Sequence, residues 1–243
     1  MKIKAVSLSR AALVVLGALL FCPVVMGHPD HDGEDGHDPV PVASQEPAGR
    51  EGDAKNEVSI TTEGDFRVIQ SNGWPDHVPG TFPRKGNPNK LAPQRYTFKV
   101  PLKPKAEAAL VSRGGWWWGV ALNGVPFEPG TAETWNNDRS SGWNYEAGTG
   151  FLNLGLDEHN AHVQPNGAYH YHALPTGLVE KLGGDGTKML LIGWAADGYP
   201  VYSGWAYSDA KDAKSPLRKM KPGYHLKKGA RPPACCGRAP FFK

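Results

Sequence analysis

Polar and apolar or aromatic residues interleave along Arg67-Val68-Ile69-Gln70 and Arg95-Tyr96-Thr97-Phe98-Lys99-Val100, the signature of strands with one covered face. Residues 71–94 between them are crowded with Pro, Gly and Asn and read as loop, with His77 a surface loop residue in preference to a stray ligand. Residues 105–113 (KAEAALVSR) form the one short helix candidate, stopped by Gly114-Gly115. Further on, Trp118-Gly119-Val120-Ala121-Leu122-Asn123-Gly124-Val125-Pro126-Phe127 aligns without gaps to the segment 74 residues later, which begins at Ile192 and ends at Val201. The shared pattern is G-x-A-x-[N/D]-G-x-P. An Asn-Gly or Asp-Gly pair between apolar runs predicts a hairpin in each copy. The repeat is read as an old duplication, or as two related strands placed around a shared centre.

Thirty glycines and twenty-two prolines among such short strands suit sheets joined by irregular loops rather than a βαβ array. The fold class expected is mainly β. It takes the form of one irregular β-sandwich or barrel-like domain over residues 58–207, with long Gly/Pro-rich loops and little helix.

The densest chemistry lies in residues 157–175, DEHNAHVQPNGAYHYHALP, which hold four of the nine histidines. Pro165-Asn166-Gly167 reads as a turn between two His-bearing strands, because Pro presets φ and Gly accepts φ > 0. A two-residue turn at Asn166-Gly167 would set Val163 opposite His170. A three-residue loop would set His162 opposite His170 and Asn160 opposite His172, and the turn chemistry favours it. Since alternate strand residues share a face, His162, His170 and His172 then lie together, with Asn160 beside them and His159 on the other side. Three imidazoles on one face suit a transition metal, copper or zinc first, as a divalent or monovalent ion. Asp157, Asn160, Asp197 and His159 are candidate partners of the imidazole N–H groups, or a fourth ligand.

The order Asp157-x-x-Asn160-x-His162, Tyr169-His170-Tyr171-His172 and Gly193-Trp194-Ala195-x-Asp197-Gly198-Tyr199-Pro200 resembles the YHYH domain family over about residues 115–205. His159 stands where such relatives often carry Cys. The resemblance implies an exported protein and supports the domain limits and the motif.

The ends of the chain agree with export. Lys2, Lys4 and Arg10 precede an eleven-residue apolar run, Ala11 to Phe21, and Val25-Met26-Gly27 offers a cleavage point, so residues 1–27 read as a signal peptide. The run is short for a permanent membrane span. Residues 28–57 hold nine acidic and two basic groups with almost no large apolar side chain, and read as a disordered acidic leader whose His28, His31 and His37 could scavenge metal loosely. Residues 208–243 read as a basic, loop-rich tail. Cys235 and Cys236 are adjacent, which strains a bridge between them and rules out a conventional disulfide framework.

Removal of the three basic groups in residues 1–27 takes the formal charge from +3 to zero, which argues against a nucleic-acid partner. No Gly-rich phosphate loop opens a helix, so nucleotide chemistry is disfavoured. Three functions stay open. The first is an exported metal-binding protein using His162, His170 and His172. The second is a metal-dependent hydrolase or oxidoreductase on the same histidines, with unassigned catalytic residues. The third is a cell-surface module that binds a glycan or protein partner, with Trp135 and Trp143 as stacking surfaces and the histidines structural.

Overall fold

The strand-like segments condense into three sheets and one α-helix within residues 46–47, 54–106, 117–221 and 223, the parts described by this computed structural model. Strands β1 (Glu46–Pro47), β2 (Val58–Glu63), β3 (Phe66–Ser71) and β4 (Gln94–Pro101) form an antiparallel sheet in the order β1-β4-β3-β2. Strands β5 (Gly119–Ala121), β6 (Pro126–Phe127), β7 (Ala161–Val163), β8 (Tyr169–Tyr171), β9 (Leu191–Ala195) and β10 (Pro200–Tyr202) form a second sheet in the order β10-β9-β5-β6-β8-β7. Its one parallel pairing joins β6 to β8, Phe127 opposite Tyr171. A ribbon of β11 (Trp205–Tyr207) and β12 (Leu217–Lys219) follows. The mainly β expectation is met.

β3 and β4 cover the two alternating segments read as strands, and residues 72–93 carry no strand, as the Pro/Gly/Asn crowding indicates. The short helix α1 (Thr176–Lys181) was not anticipated: six residues are too few to show a helical period, but its Leu178 is buried in the core. Described structure also extends past 58–207 at both ends. β1 falls inside the segment read as a disordered leader, and Asn56 donates to the carbonyls of Trp74 and Asn123. β12 falls inside the segment read as a tail. Residues 28–45, 48–53, 222 and 224–243 of the two tails, Cys235 and Cys236 among them, lie outside the described residues, as do the signal segment and nearly all of residues 105–113.

The second sheet has two different faces. One buries Ala121, Val125, Phe127, Val163, Tyr169, Tyr171 and Ile192 with Phe82, Leu91 and Leu178. From the other, Val120 packs with Ile69, Tyr96, Phe98 and Val100 of the first sheet, with Trp117 and Trp194 beside them.

The two copies of the sequence repeat lie against each other at the middle of this sheet. Gly119 pairs with Ala195, Val120 with Trp194 and Ala121 with Gly193, so the glycine of each copy faces the alanine of the other. Their hairpin turns repeat bond for bond. Gly124 N donates to Ala121 O and Ala121 N to Val125 O; Gly198 N donates to Ala195 O and Ala195 N to Tyr199 O. Gly124 and Gly198 both sit at positive φ, 79° and 91°, as an Asn-Gly or Asp-Gly turn demands. Two related strands around a shared centre describe the repeat.

Glycine at the centre is a packing requirement. A Cβ built on Gly193 would lie 2.3 Å from Val120 O and 2.8 Å from both Ala121 Cα and Phe127 Cε2. None of those atoms sits on a free side-chain end, so the strands themselves would have to part. Gly193→Ala is therefore expected to cost about 1–3 kcal/mol or more. Urea unfolding should show it as a lower midpoint at unchanged slope, and an unchanged midpoint would contradict the close approach.

Candidate metal centre

The hairpin β7–β8 closes through a three-residue loop. Gln164 N donates to Ala168 O and Gly167 N to Gln164 O, with Gly167 at φ 91°. His162 consequently pairs with His170, Ala161 with Tyr171 and Val163 with Tyr169. His172 N donates to Asn160 O at 2.8 Å, which carries the register one step further. Alternation then sends Tyr169 and Tyr171 into the apolar core and His170 and His172 to the opposite face.

On that face the three imidazoles converge. His172 Nε2 lies 3.0 Å from His170 Nε2 and 3.1 Å from His162 Nε2, and the three rings have ligand atoms all within 4.8 Å of one another. His170 is fully buried, His172 is nearly so and His162 is half-buried. This cluster is able to hold a metal ion.

Backbone carbonyls determine which nitrogens are available. His162 Nδ1 is 2.7 Å from Leu154 O and His170 Nδ1 is 3.3 Å from Ala168 O. A carbonyl only accepts, so both Nδ1 atoms carry the proton, and in the neutral ring each Nε2 presents a lone pair to the centre. His172 Nε2 can donate to one of the two at most. Opposed lone pairs therefore remain, and a shared cation relieves them. Donors on 2.0–2.1 Å bonds at a tetrahedral angle stand about 3.3 Å apart, and the two nitrogen separations at His172, 3.0 and 3.1 Å, lie within a few tenths of an ångström of that spacing.

Burial keeps the His172 and His162 rings in the metal-binding form. Desolvation lowers the His172 pKa to about 2, assisted by His170 and His162 and opposed by the Pro129 carbonyl. That carbonyl is near enough to favour a charged ring, yet His172 Nδ1 is buried without a hydrogen bond of ordinary geometry. Desolvation also lowers His162, against the Leu154 carbonyl and the charges of Glu133, Glu128 and Asp157.

The other residues nominated from sequence take positions elsewhere. Asp157 accepts from Tyr169 Oη at 2.6 Å, Gly80 N, His159 N and Ala161 N, which puts its carboxylate on the tyrosine face of the hairpin. His159 packs its ring 4.2 Å from that of His77, with Thr176 Oγ1 and Val78 O as ring partners. Asn160 takes the left-handed φ of 59° and its amide donates to Leu174 O, so its contribution here is to the turn. Asp197 accepts from Tyr199 N within its own exposed turn. Trp135 and Trp143 are half-buried across a narrow backbone pairing, with Tyr145 6.3 Å from the Trp135 ring.

Sequence reasoning missed two features. Glu128, directly after β6, is buried with Oε2 3.7 Å from His170 Nε2 and accepts from Gln164 Nε2 at 3.1 Å. A lone acid in the apolar run VPFEP was its only signal. His77, read as a surface loop residue, instead accepts from Tyr171 Oη at 2.7 Å through Nε2, its Nδ1 facing Val78 O. Asn123 Nδ2 donates to the same phenol and to Asp76.

The comparisons with known proteins agree with the tetrapeptide at the centre of β8. Residues 97–240, more than half of the chain, match the family described as YHYH protein. The chain belongs to the YHYH family. No curated protein and no solved structure matches it. The Tyr-His-Tyr-His run of this YHYH chain is thus the strand that separates a tyrosine network from a histidine cluster.

The pH dependence follows from the direction of the His172 shift. Its folded pKa, about 2, lies below the unfolded value, so the ring is neutral in both states at pH 7 and no stability is lost there. Below a pH of about 6.5 the unfolded chain takes up a proton that the folded ring refuses, which removes up to about 1.4 kcal/mol of stability per pH unit. Urea unfolding in chelator between pH 7 and 5 should show this loss, with a shallower slope for His172→Asn. Equal slopes for the two proteins would contradict it.

Proposed function

We propose that this is an exported metal-binding protein that holds one transition-metal ion on His162, His170 and His172. The observation that carries the reading is the convergence of three Nε2 atoms, two of them with Nδ1 tied to a carbonyl. Imidazole suits copper and zinc, the ions expected. Burial of two rings and the close 3.0–3.1 Å spacing favour tight retention over loose scavenging. Residues 1–27 support export, with a mature chain starting near His28. Among the described residues no helix is long and apolar enough to cross a membrane.

A second reading, a metal-dependent enzyme, is supported by the buried carboxylate of Glu128 beside a three-histidine cluster. Such a set can leave one metal position for water or substrate.

Elemental analysis of the purified mature protein, expressed with copper and zinc supplied, tests the reading. About one ion per chain is expected, with loss to background in His170→Ala/His172→Ala. At a free ion concentration a hundred times Kd, the wild type should gain about 2.7 kcal/mol of stability over its metal-free form. Equal, substoichiometric metal in both proteins would overturn it.

A further inference from the structure

We propose that Glu128 is the fourth ligand of this centre and that its carboxylate biases the site towards divalent over monovalent ions. The proposal rests on the metal-binding reading of the three histidines and deepens it.

The fold delivers Glu128 by a non-local route. Phe127 pairs in parallel with Tyr171, and Glu128 N donates to Tyr171 O at 2.9 Å, so Glu128 runs alongside His172. Phe127 and Tyr171 point into the apolar core. Their successors, Glu128 and His172, point by alternation to the same opposite face. The Glu128 side chain is only 6% exposed there.

Its oxygen meets the imidazoles as one acceptor among acceptors. Oε2 is 3.7 Å from His170 Nε2, and the His170 proton sits on Nδ1 against Ala168 O. A separation of 3.7 Å is too long for a hydrogen bond, but two ligand atoms of one metal ion stand at a comparable spacing, about 3.3 Å in a tetrahedral site. The same Oε2 accepts from Gln164 Nε2 at 3.1 Å. Ligating carboxylates are commonly oriented by such a donor. Gln164 opens the loop that aligns His162 with His170, so one turn sets both the imidazole register and the direction of the carboxylate.

The carboxylate changes which ion the site prefers. Three neutral imidazoles attract Cu⁺ and Zn²⁺ through lone pairs, with no ligand charge to favour either. A buried anion adds an attraction proportional to the charge of the ion, twice as large for Zn²⁺ as for Cu⁺. Its hard oxygen acts in the same direction.

Zn²⁺ and, anaerobically, Cu⁺ are titrated into the wild type and Glu128→Gln against competing chelators. The variant should bind Zn²⁺ about 10–100-fold more weakly, with a smaller loss for Cu⁺. Equal affinities of the two proteins for Zn²⁺, or equal fold losses for both ions, would overturn the assignment. A wild type that binds neither ion would overturn the histidine centre itself. A crystal structure of the Zn²⁺-loaded wild type decides the point without any substitution. Glu128 oxygen at about 2.0–2.2 Å from the ion supports the assignment, and oxygen outside bonding distance overturns it.

Discussion

Strand β8 has no exposed face. Tyr169, His170 and Tyr171 are all essentially buried, and each carries a group that must be hydrogen-bonded or coordinated once removed from water. The tyrosine face meets this demand with protein atoms, Asp157 for Tyr169 and His77 with Asn123 for Tyr171. The histidine face meets it only in part. Carbonyls take the outer nitrogens of His162 and His170, while three inner nitrogens confront one another. That asymmetry is the physical reason to place a cation there.

The central repeat supplies the frame. Because Gly119 and Gly193 allow β5 and β9 to approach closely, the two hairpins pack about a local two-fold axis in the sheet. The first copy ends in β6, and β6 is the strand that pairs in parallel with β8. An element that looks like mere duplication therefore sets the neighbour of the YHYH strand. It brings Glu128 to the imidazoles and Asn123, from the turn of the same hairpin, to Tyr171. Asp197, the counterpart of Asn123, remains in an exposed turn, so the two copies have diverged in use.

What was legible in the sequence was local. The Pro165-Asn166-Gly167 loop determined the register His162 to His170, and alternation then grouped the three histidines. The Asn-Gly and Asp-Gly turns and the strand pairs β3 and β4 were legible for the same reason, since turn chemistry and period act over a few residues. The parallel contact of β6 with β8 crosses more than forty residues and leaves no local trace, so Glu128 went unnoticed. Asp157 was nominated for its nearness along the chain. Four donors hold it on the far side of the hairpin, however, where proximity in sequence does not translate into the same face.

The central claim is that imidazole nitrogens of the YHYH hairpin bind a metal ion directly. X-ray absorption at the metal edge of the zinc- or copper-loaded protein tests it most directly. The account predicts the multiple-scattering pattern of about three imidazoles at about 2.0–2.1 Å, with no metal edge above background in the His170→Ala/His172→Ala variant. A metal edge without imidazole scattering in the wild type would contradict it.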